Sequence, residues 1–422
     1  MNVHAKPQLT PAETSLVDAF VARASELPGD GELMLKRDEA VESIKAGLPN
    51  RRVEAWHYTD LRRLLSAVPD HDPTARAVAP AALVQGGLTL PVLGGRAEAP
   101  RGVPEGLSVR RVEELLLSGE MNGLLGQVDS ADAVGAINSA FVVDGLAIDV
   151  AAGVALEAPV EIQNVHAGGQ AHTRYRVEVG AGARATFIER QTGTADALVS
   201  SVSHLNVAEG ADVLWVILQE QPNGASHLGQ FNATIGKDAK LTLFLMNEGG
   251  KLVRQEIRVA AEGENCVFTL RGVNLLAGET HTDVTMVLDH VGYGASSSEL
   301  VRNVVLDRAH GVFQGQIRVA REAQKTDAKM ACNTLLLSDE ADFSIKPELE
   351  IFADDVACGH GATVAEIHKD HLFYLMARGV PEKEARGLLV KAFLAEVIED
   401  LDDEALVEAL EAKLDGWFVE HG

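Results

Sequence analysis

Between about residues 140 and 358 the chain alternates apolar and polar positions with a period of two. Arg174 to Val179 (RYRVEV) and Leu241 to Leu245 (LTLFL) show it most plainly, with one face apolar and the other mixed. That period, with abundant Val, Ile, Leu, Thr and Phe, predicts strands. The strands are separated by short turns that resemble one another: VGAGARATF at Gly182, VAEGADVLW at Gly210, TIGKDAKLTL at Gly236 and AAEGENCVFTL at Gly263. These four glycines recur every 26 to 28 residues. Later turns fall at Gly311 and near Glu340. A fixed period of this size is the signature of stacked repeats, because one repeat cannot bury its apolar face alone. A stacked β-structure is therefore predicted, ahead of an antiparallel sandwich of regular hairpins. Gly fits such corners because it tolerates positive φ, and the acidic turn residues stay hydrated.

Both ends follow a different rule. Leu16, Val17, Phe20 and Val21 keep helical spacing, and a second helix is predicted from Glu32 to Ala46, stopped by Gly47 and Pro49. The segment RRVEAWHYTDLRRLL reads as a packed helix and turn with Trp56 and Tyr58 in the core. Val68 to Pro104 is rich in Pro, Gly and Ala and reads as a linker or small irregular strand region. After the strands, Thr363 and Glu366 form a capping-box pattern ahead of a helix that stops at Gly379. Pro381 opens the next helix, whose apolar face is Leu388, Leu389, Ala392, Phe393 and Val397, and an acidic third helix follows. The resulting division is 1–66 helical, 67–139 linker or irregular α+β, 140–360 solenoid core and 361–422 helical.

Charge and absent motifs narrow the function. The formal net charge of -25 opposes binding to nucleic acid or anionic membranes. The opening MNVHAKPQLTPAETSLVDAF lacks a basic stretch followed by an apolar run, and three dispersed cysteines suggest free thiols in a reducing compartment. A cytoplasmic protein is expected. There is no G-x-x-x-x-G-K-[ST], no complete G-x-G-x-x-G, no G-x-S-x-G and no C-x-x-C, so neither a nucleotide site nor a familiar independent enzyme is predicted.

One constellation carries chemistry. Cys358-Gly359-His360-Gly361 stands where strands give way to helices. In an extended segment, residues i and i+2 point to one side, so this thiol and imidazole can approach one metal. Taken alone, such a Cys is more commonly a small core residue and such a His a backbone partner. Two ligands are also too few for a cluster, so any such site is shared with another chain. His368 and His371 form a second pair, i and i+3 on the tail helix, which reads as a solvated first turn; Cys266 and Cys332 read as core residues, and His281 and His310 take no role.

The block from Ala323 to Val380 resembles the shared carboxy-terminal block of the SufB/SufD family. The likeness rests on Gln-Lys-Thr-Asp-Ala, Pro-x-Leu-x-Ile, Asp354-Asp355-Val356, Cys-x-His-Gly-Ala-Thr, Phe373-Tyr374 and Arg378-Gly379. Arg52-x-Glu54-x-Trp56-x-Tyr58-Thr59 also looks like the family, and the likeness is weakest between 68 and 140. The chain resembles the SufD branch rather than SufB, which is longer and carries clustered amino-terminal cysteines. The resemblance implies a right-handed parallel β-helix between helical regions. It implies a non-catalytic scaffold subunit that pairs with a SufB-like homologue and binds a SufC-like ABC-type ATPase through residues 361–422. No nucleotide would be bound by this chain itself. A transient iron–sulfur cluster would form at the SufB–SufD interface, with His360 the better candidate ligand and Cys358 the weaker. Three alternatives stay open: a purely structural subunit without a ligand, a β-helix carbohydrate-active enzyme, and a homodimeric scaffold.

Overall fold

A computed structural model describes residues 8–127 and 129–421. From Leu88 to Ala365 the chain winds back and forth between two sheets, one of ten strands and one of nine, in about eight turns. Each turn contributes one strand to each sheet, and, apart from two short antiparallel strands at the beginning, each strand pairs in parallel with the strand one turn away. From Asp212–Gln221 to Asp342–Ile351 every strand is ten residues long. The pairing is continuous between equal lengths, so a given side chain stacks on its counterpart in the next turn.

The period of two sorts the side chains. Leu241, Leu243 and Leu245 point into the solenoid and join a core with Phe231, Ile257 and Leu270. Phe244 and Met246 point out, yet they too are buried. They share a core with Val390, Leu394, Leu406 and Trp417 of the carboxy-terminal helices. A strand whose two faces are both covered is apolar on both, which is why the outward face of this segment looks mixed rather than polar.

One corner explains the repeating glycines in a way the spacing does not. A left-handed residue occupies it in each turn: Gly182 (φ 65°), Gly210 (φ 67°), Asp238 (φ 53°), Asn265 (φ 55°) and Gly294 (φ 71°). Asp and Asn tolerate that conformation better than other side chains. Gly236 and Gly263 lie two residues earlier and serve closeness instead. A Cβ on Gly236 would sit 3.0 Å from the Glu209 nitrogen, and one on Gly263 would overlap the Gly236 backbone.

The solenoid begins inside the 67–139 segment. Leu88–Leu93 pairs in parallel with Val160–His166, and Arg96–Ala97 folds back on it antiparallel. Leu107–Arg111 closes the other sheet, antiparallel to Asp144–Val150. Helices α1 (Pro11–Arg23), α2 (Gly31–Lys45), α3 (Leu61–Leu64), α4 (Val112–Ser118) and α5 (Ala133–Phe141) gather on this half. Helix α5 is buried along its whole length. With α1 and α2 it covers the outward Leu198, Val202 and Leu228 of the nine-stranded sheet.

At the other end, α6 (Lys369–Met376), α7 (Glu382–Ile398) and α8 (Glu404–His421) follow the last strand. Two expectations are corrected here. Thr363 does not cap a helix. It lies in the strand Ala357–Ala365, where its hydroxyl accepts from Asn333 Nδ2 at 2.8 Å, because pairing with Asp327–Leu336 continues past the predicted boundary. The cap of α6 is His368, whose Nδ1 accepts from the Asp370 N–H at 3.3 Å. The buried face of α7 is Ala385, Val390, Leu394, Val397 and Ile398, leaving Leu388 and Ala392 exposed. The spacing is helical, but the stripe that the ten-stranded sheet covers is rotated from the one predicted.

Candidate functional site at the open end of the solenoid

The last rung consists of Asp342–Ile351 in one sheet and Ala357–Ala365 in the other. Their registers fix which side chains face inward. Phe343, Ile345, Pro347, Leu349 and Ile351 stand over Gly311, Phe313, Gly315, Ile317 and Val319. Cys358, His360 and Ala362 stand over Ala328, Met330 and Cys332, all buried. In earlier turns these positions are sealed by the turn that follows. Here no further turn follows, so core-facing positions meet solvent: Ile351 is 41% exposed, Val364 45% and the adjoining Phe352 67%. Both strands also have a free edge, which presents backbone groups to a partner.

Cys358 and His360 thus share one side of one strand, as the i, i+2 spacing requires, and that side is the open end. His360 is exposed and Cys358 half-buried against the core. Burial pushes the Cys358 thiol above its ordinary range, and the carboxylates of Asp327 and Glu299 push the same way. Gly359 and Gly361 have nothing within 4 Å of where a Cβ would lie, so a second chain can approach this strand closely.

Among the described residues, no three His, Cys, Asp or Glu side chains are grouped so as to hold a metal ion. Cys358 and His360 could therefore supply at most half of a four-ligand set, and any fit to a cluster would be that of a shared edge. Cys266 and Cys332 are buried, with thiols pushed up to about 11 and about 12 by desolvation. Cys332 Sγ accepts from Asn303 Nδ2 at 3.3 Å, which makes it part of the core. His368 and His371 are exposed with ring centroids 4.8 Å apart. His281 and His310 stack at the same spacing, 4.8 Å.

Three features escaped the sequence reading. The first is a polar ladder inside the solenoid: Asn164, Gln191, Gln219, Asn247, Asn274, Asn303 and Thr334 stand in register. Asn164 Nδ2 donates to Gln191 Oε1 at 2.8 Å, and Asn247 to Asn274 Oδ1 at 2.7 Å. Asn274 donates to Asn303 Oδ1 at 2.6 Å, and Asn303 to Thr334 Oγ1 at 3.0 Å. Their recurrence at the repeat period was the available signal. The second is Glu299, an inward carboxyl one strand below Met330. The third is the docking of the 52–59 motif. The Arg254 guanidinium lies 4.2 Å from the centre of the Trp56 ring, and Trp56 Nε1 donates to the Ala131 carbonyl at 3.0 Å. The Thr59 hydroxyl bonds His281 Nε2 at 2.9 Å and donates to Asp283. Lys346 Nζ donates to Glu54 at 3.0 Å, which ties the motif to the last rung. Trp56 is buried, as predicted, while Tyr58 is only half-buried.

Comparison with known proteins agrees with this architecture. Residues 162–393, more than half of the chain, match the family model described as SUF system FeS cluster assembly, SufBD core domain. The chain is 29% identical to the iron-sulfur cluster assembly protein SufD of Escherichia coli over 390 residues, 88% of this chain and 89% of that one. It is 28% identical to SufD of Bacillus subtilis over 66% of each chain. It is 26% identical to the chloroplastic protein ABCI7 of Arabidopsis thaliana over 92% of this chain and 88% of that one. A parallel solenoid left open at a Cys-x-His edge, a family-model match over most of that solenoid and near full-length SufD relatives together place the chain in the SufB/SufD family of SUF-system iron–sulfur cluster assembly proteins.

Proposed function

We propose that this chain is a non-catalytic scaffold subunit in SUF iron–sulfur cluster assembly whose chemistry exists only between chains. The open end of the solenoid pairs with a SufB-like homologue. The carboxy-terminal helices dock a SufC-like ATPase, which supplies the nucleotide site. Phe373, Tyr374, Met376 and Leu388 are exposed on α6 and α7 and support that docking. Iron and sulfide assemble as cargo at the seam beside His360, with cysteines of the partner completing the set.

The observation that carries this reading is that the core-facing side of the last rung, with Cys358 and His360 on it, is left uncovered. His360 is the favoured ligand. An imidazole holds iron less firmly than a thiolate and so aids release, while half-burial keeps the Cys358 thiol protonated over a wider pH range. Co-purification from native cells should recover a P-loop ATPase and a longer homologous chain. His360→Ala should leave that complex intact while iron–sulfur enzyme activity in cells falls at least severalfold. Wild-type cluster output from the variant would reduce the chain to a purely structural subunit.

A further inference from the structure

Glu299 is the least expected residue in the molecule. Register places it in one inward column with Leu270 below and Met330 above, and His360 is the next member of that column. It is 1% exposed, and neither carboxylate oxygen meets a hydrogen-bond partner of good geometry. Buried carboxyls are normally paired, because an unpaired one loses several kcal/mol of hydration when it ionises. The Ser297 hydroxyl, on the same face, is engaged with His290 Nε2 at 3.1 Å. Burial pushes the Glu299 carboxyl up to about 8, against weaker opposing pulls from Ser297 and Arg271. The ionisable groups around it are Arg271 on the strand below, His290 through Ser297, and Cys358 and His360 on the open rung above. The rung of Ala328 and Met330 separates it from those last two, so it touches neither. Two strand spacings, roughly 10 Å, lie between Glu299 and His360.

We propose that Glu299 is the buried counter-charge of the open end: it holds a proton while the seam is empty and releases it to solvent when a metal cation is held at Cys358 and His360. This rests on the seam reading above and adds to it a residue that never touches the metal. The geometry gives the coupling its direction. The carboxyl is buried on every side, only the rung of Ala328 and Met330 lies between it and the open end, and a cation there stabilises the carboxylate across a poorly screened interior. Unit charges at that separation in a protein interior change one another's equilibria on the order of tenfold.

The test is anaerobic titration of the full chain, in the complex it co-purifies with, using Co(II) alone as probe and a pH indicator to count protons. Wild type at pH 7.5 should release about half a proton more per cobalt than Glu299→Gln, the amount that a tenfold shift gives for a carboxyl at about 8. Glu299→Gln should bind cobalt about threefold more weakly at that pH, and melt no lower than wild type. Glu299→Leu repeats the test with the residue type found at position 270, so one well-folded variant suffices. Wild-type affinity and proton count in these variants, with cobalt lost in His360→Ala, would overturn the role of Glu299 and leave the seam standing. Unchanged cobalt binding in His360→Ala would overturn the seam itself, and the counter-charge with it.

Discussion

At the residue scale, glycines that look alike in sequence do different work. Gly182 is needed for its positive φ, and nothing lies within 4 Å of where its Cβ would be. Gly263 has ordinary φ and is needed because the turn beneath leaves no room. Gly182→Ala should therefore cost about 1 kcal/mol, the penalty of a left-handed alanine. Gly263→Ala must push two stacked turns apart and should cost more, about 2 kcal/mol or above. Urea unfolding of the two variants in parallel checks the ranking. A larger loss at position 182 would reverse the assignment of roles.

At the scale of the element, a strand is held from three sides: by its neighbours in the sheet, by the stacked core, and by the polar ladder. Asn274 donates to Asn303 and accepts from Asn247, all three buried. Asn274→Ala removes the partner of the Asn247 Nδ2 donor and of the Asn303 Oδ1 acceptor and leaves a void, so a loss of about 2–4 kcal/mol is expected in denaturant melts. Asn206, which donates to Glu178 in an exposed hydrogen bond between neighbouring strands, should cost within about 0.5 kcal/mol when replaced by Ala.

The sequence carries some elements plainly and conceals others. The central strands were legible because their period of two survives stacking, and their turns recur. The tail helices were legible as helices, but the face of α7 was not, since Leu388 and Val390 look equally apolar until a sheet covers one of them. The strand Leu88–Leu93 was hidden by Pro91 and by Gly-rich flanks that signal a linker. The sharing of one face by Cys358 and His360 was legible from spacing alone. The burial of Glu299 was not, because a lone acid in a strand reads as solvent-facing, and only the register with Leu270 and Met330 turns it inward.

On the scale of the whole molecule, burial makes the protein sensitive to acid. His172, His204 and His227 are lowered to about 3, and His281 and His290 to about 4, chiefly by desolvation. An unfolded chain takes up these protons near the ordinary histidine value, so it binds more protons than the folded one at mildly acid pH. Their contribution is complete above about pH 6.5 and is lost as pH falls toward 4. Glu299 acts oppositely, since its raised value weakens the fold as pH rises toward 8. Unfolding free energy should thus drop steeply between pH 6.5 and 4.5. His281→Asn, which removes one such proton, should flatten that slope by up to about 1.4 kcal/mol per pH unit. An identical slope would show that His281 is not the neutral partner of Thr59.

Association belongs to the same scale. Ala362 is exposed on the core-facing side of the last strand. Ala362→Asp should leave the melting temperature of the isolated chain within about 1 °C of wild type, because nothing packs there. It should abolish pairing with a partner in sedimentation or size-exclusion experiments, because a charge would be buried at the seam without a counter-ion. Retention of the pair would place the interface elsewhere on the molecule.

The two ends of the rod are finished differently. At its beginning, short antiparallel strands, Arg96–Ala97 and Leu107–Arg111, turn the sheets aside. At its close, both sheets simply stop. A body left open at one terminus and blunted at the other has a single end through which it can pair. If the open end is the seam proposed above, the contact would not be handed on to a third body, growth would halt at two, and the same apolar staves that would make a fibre from a doubly open rod would instead close a couple.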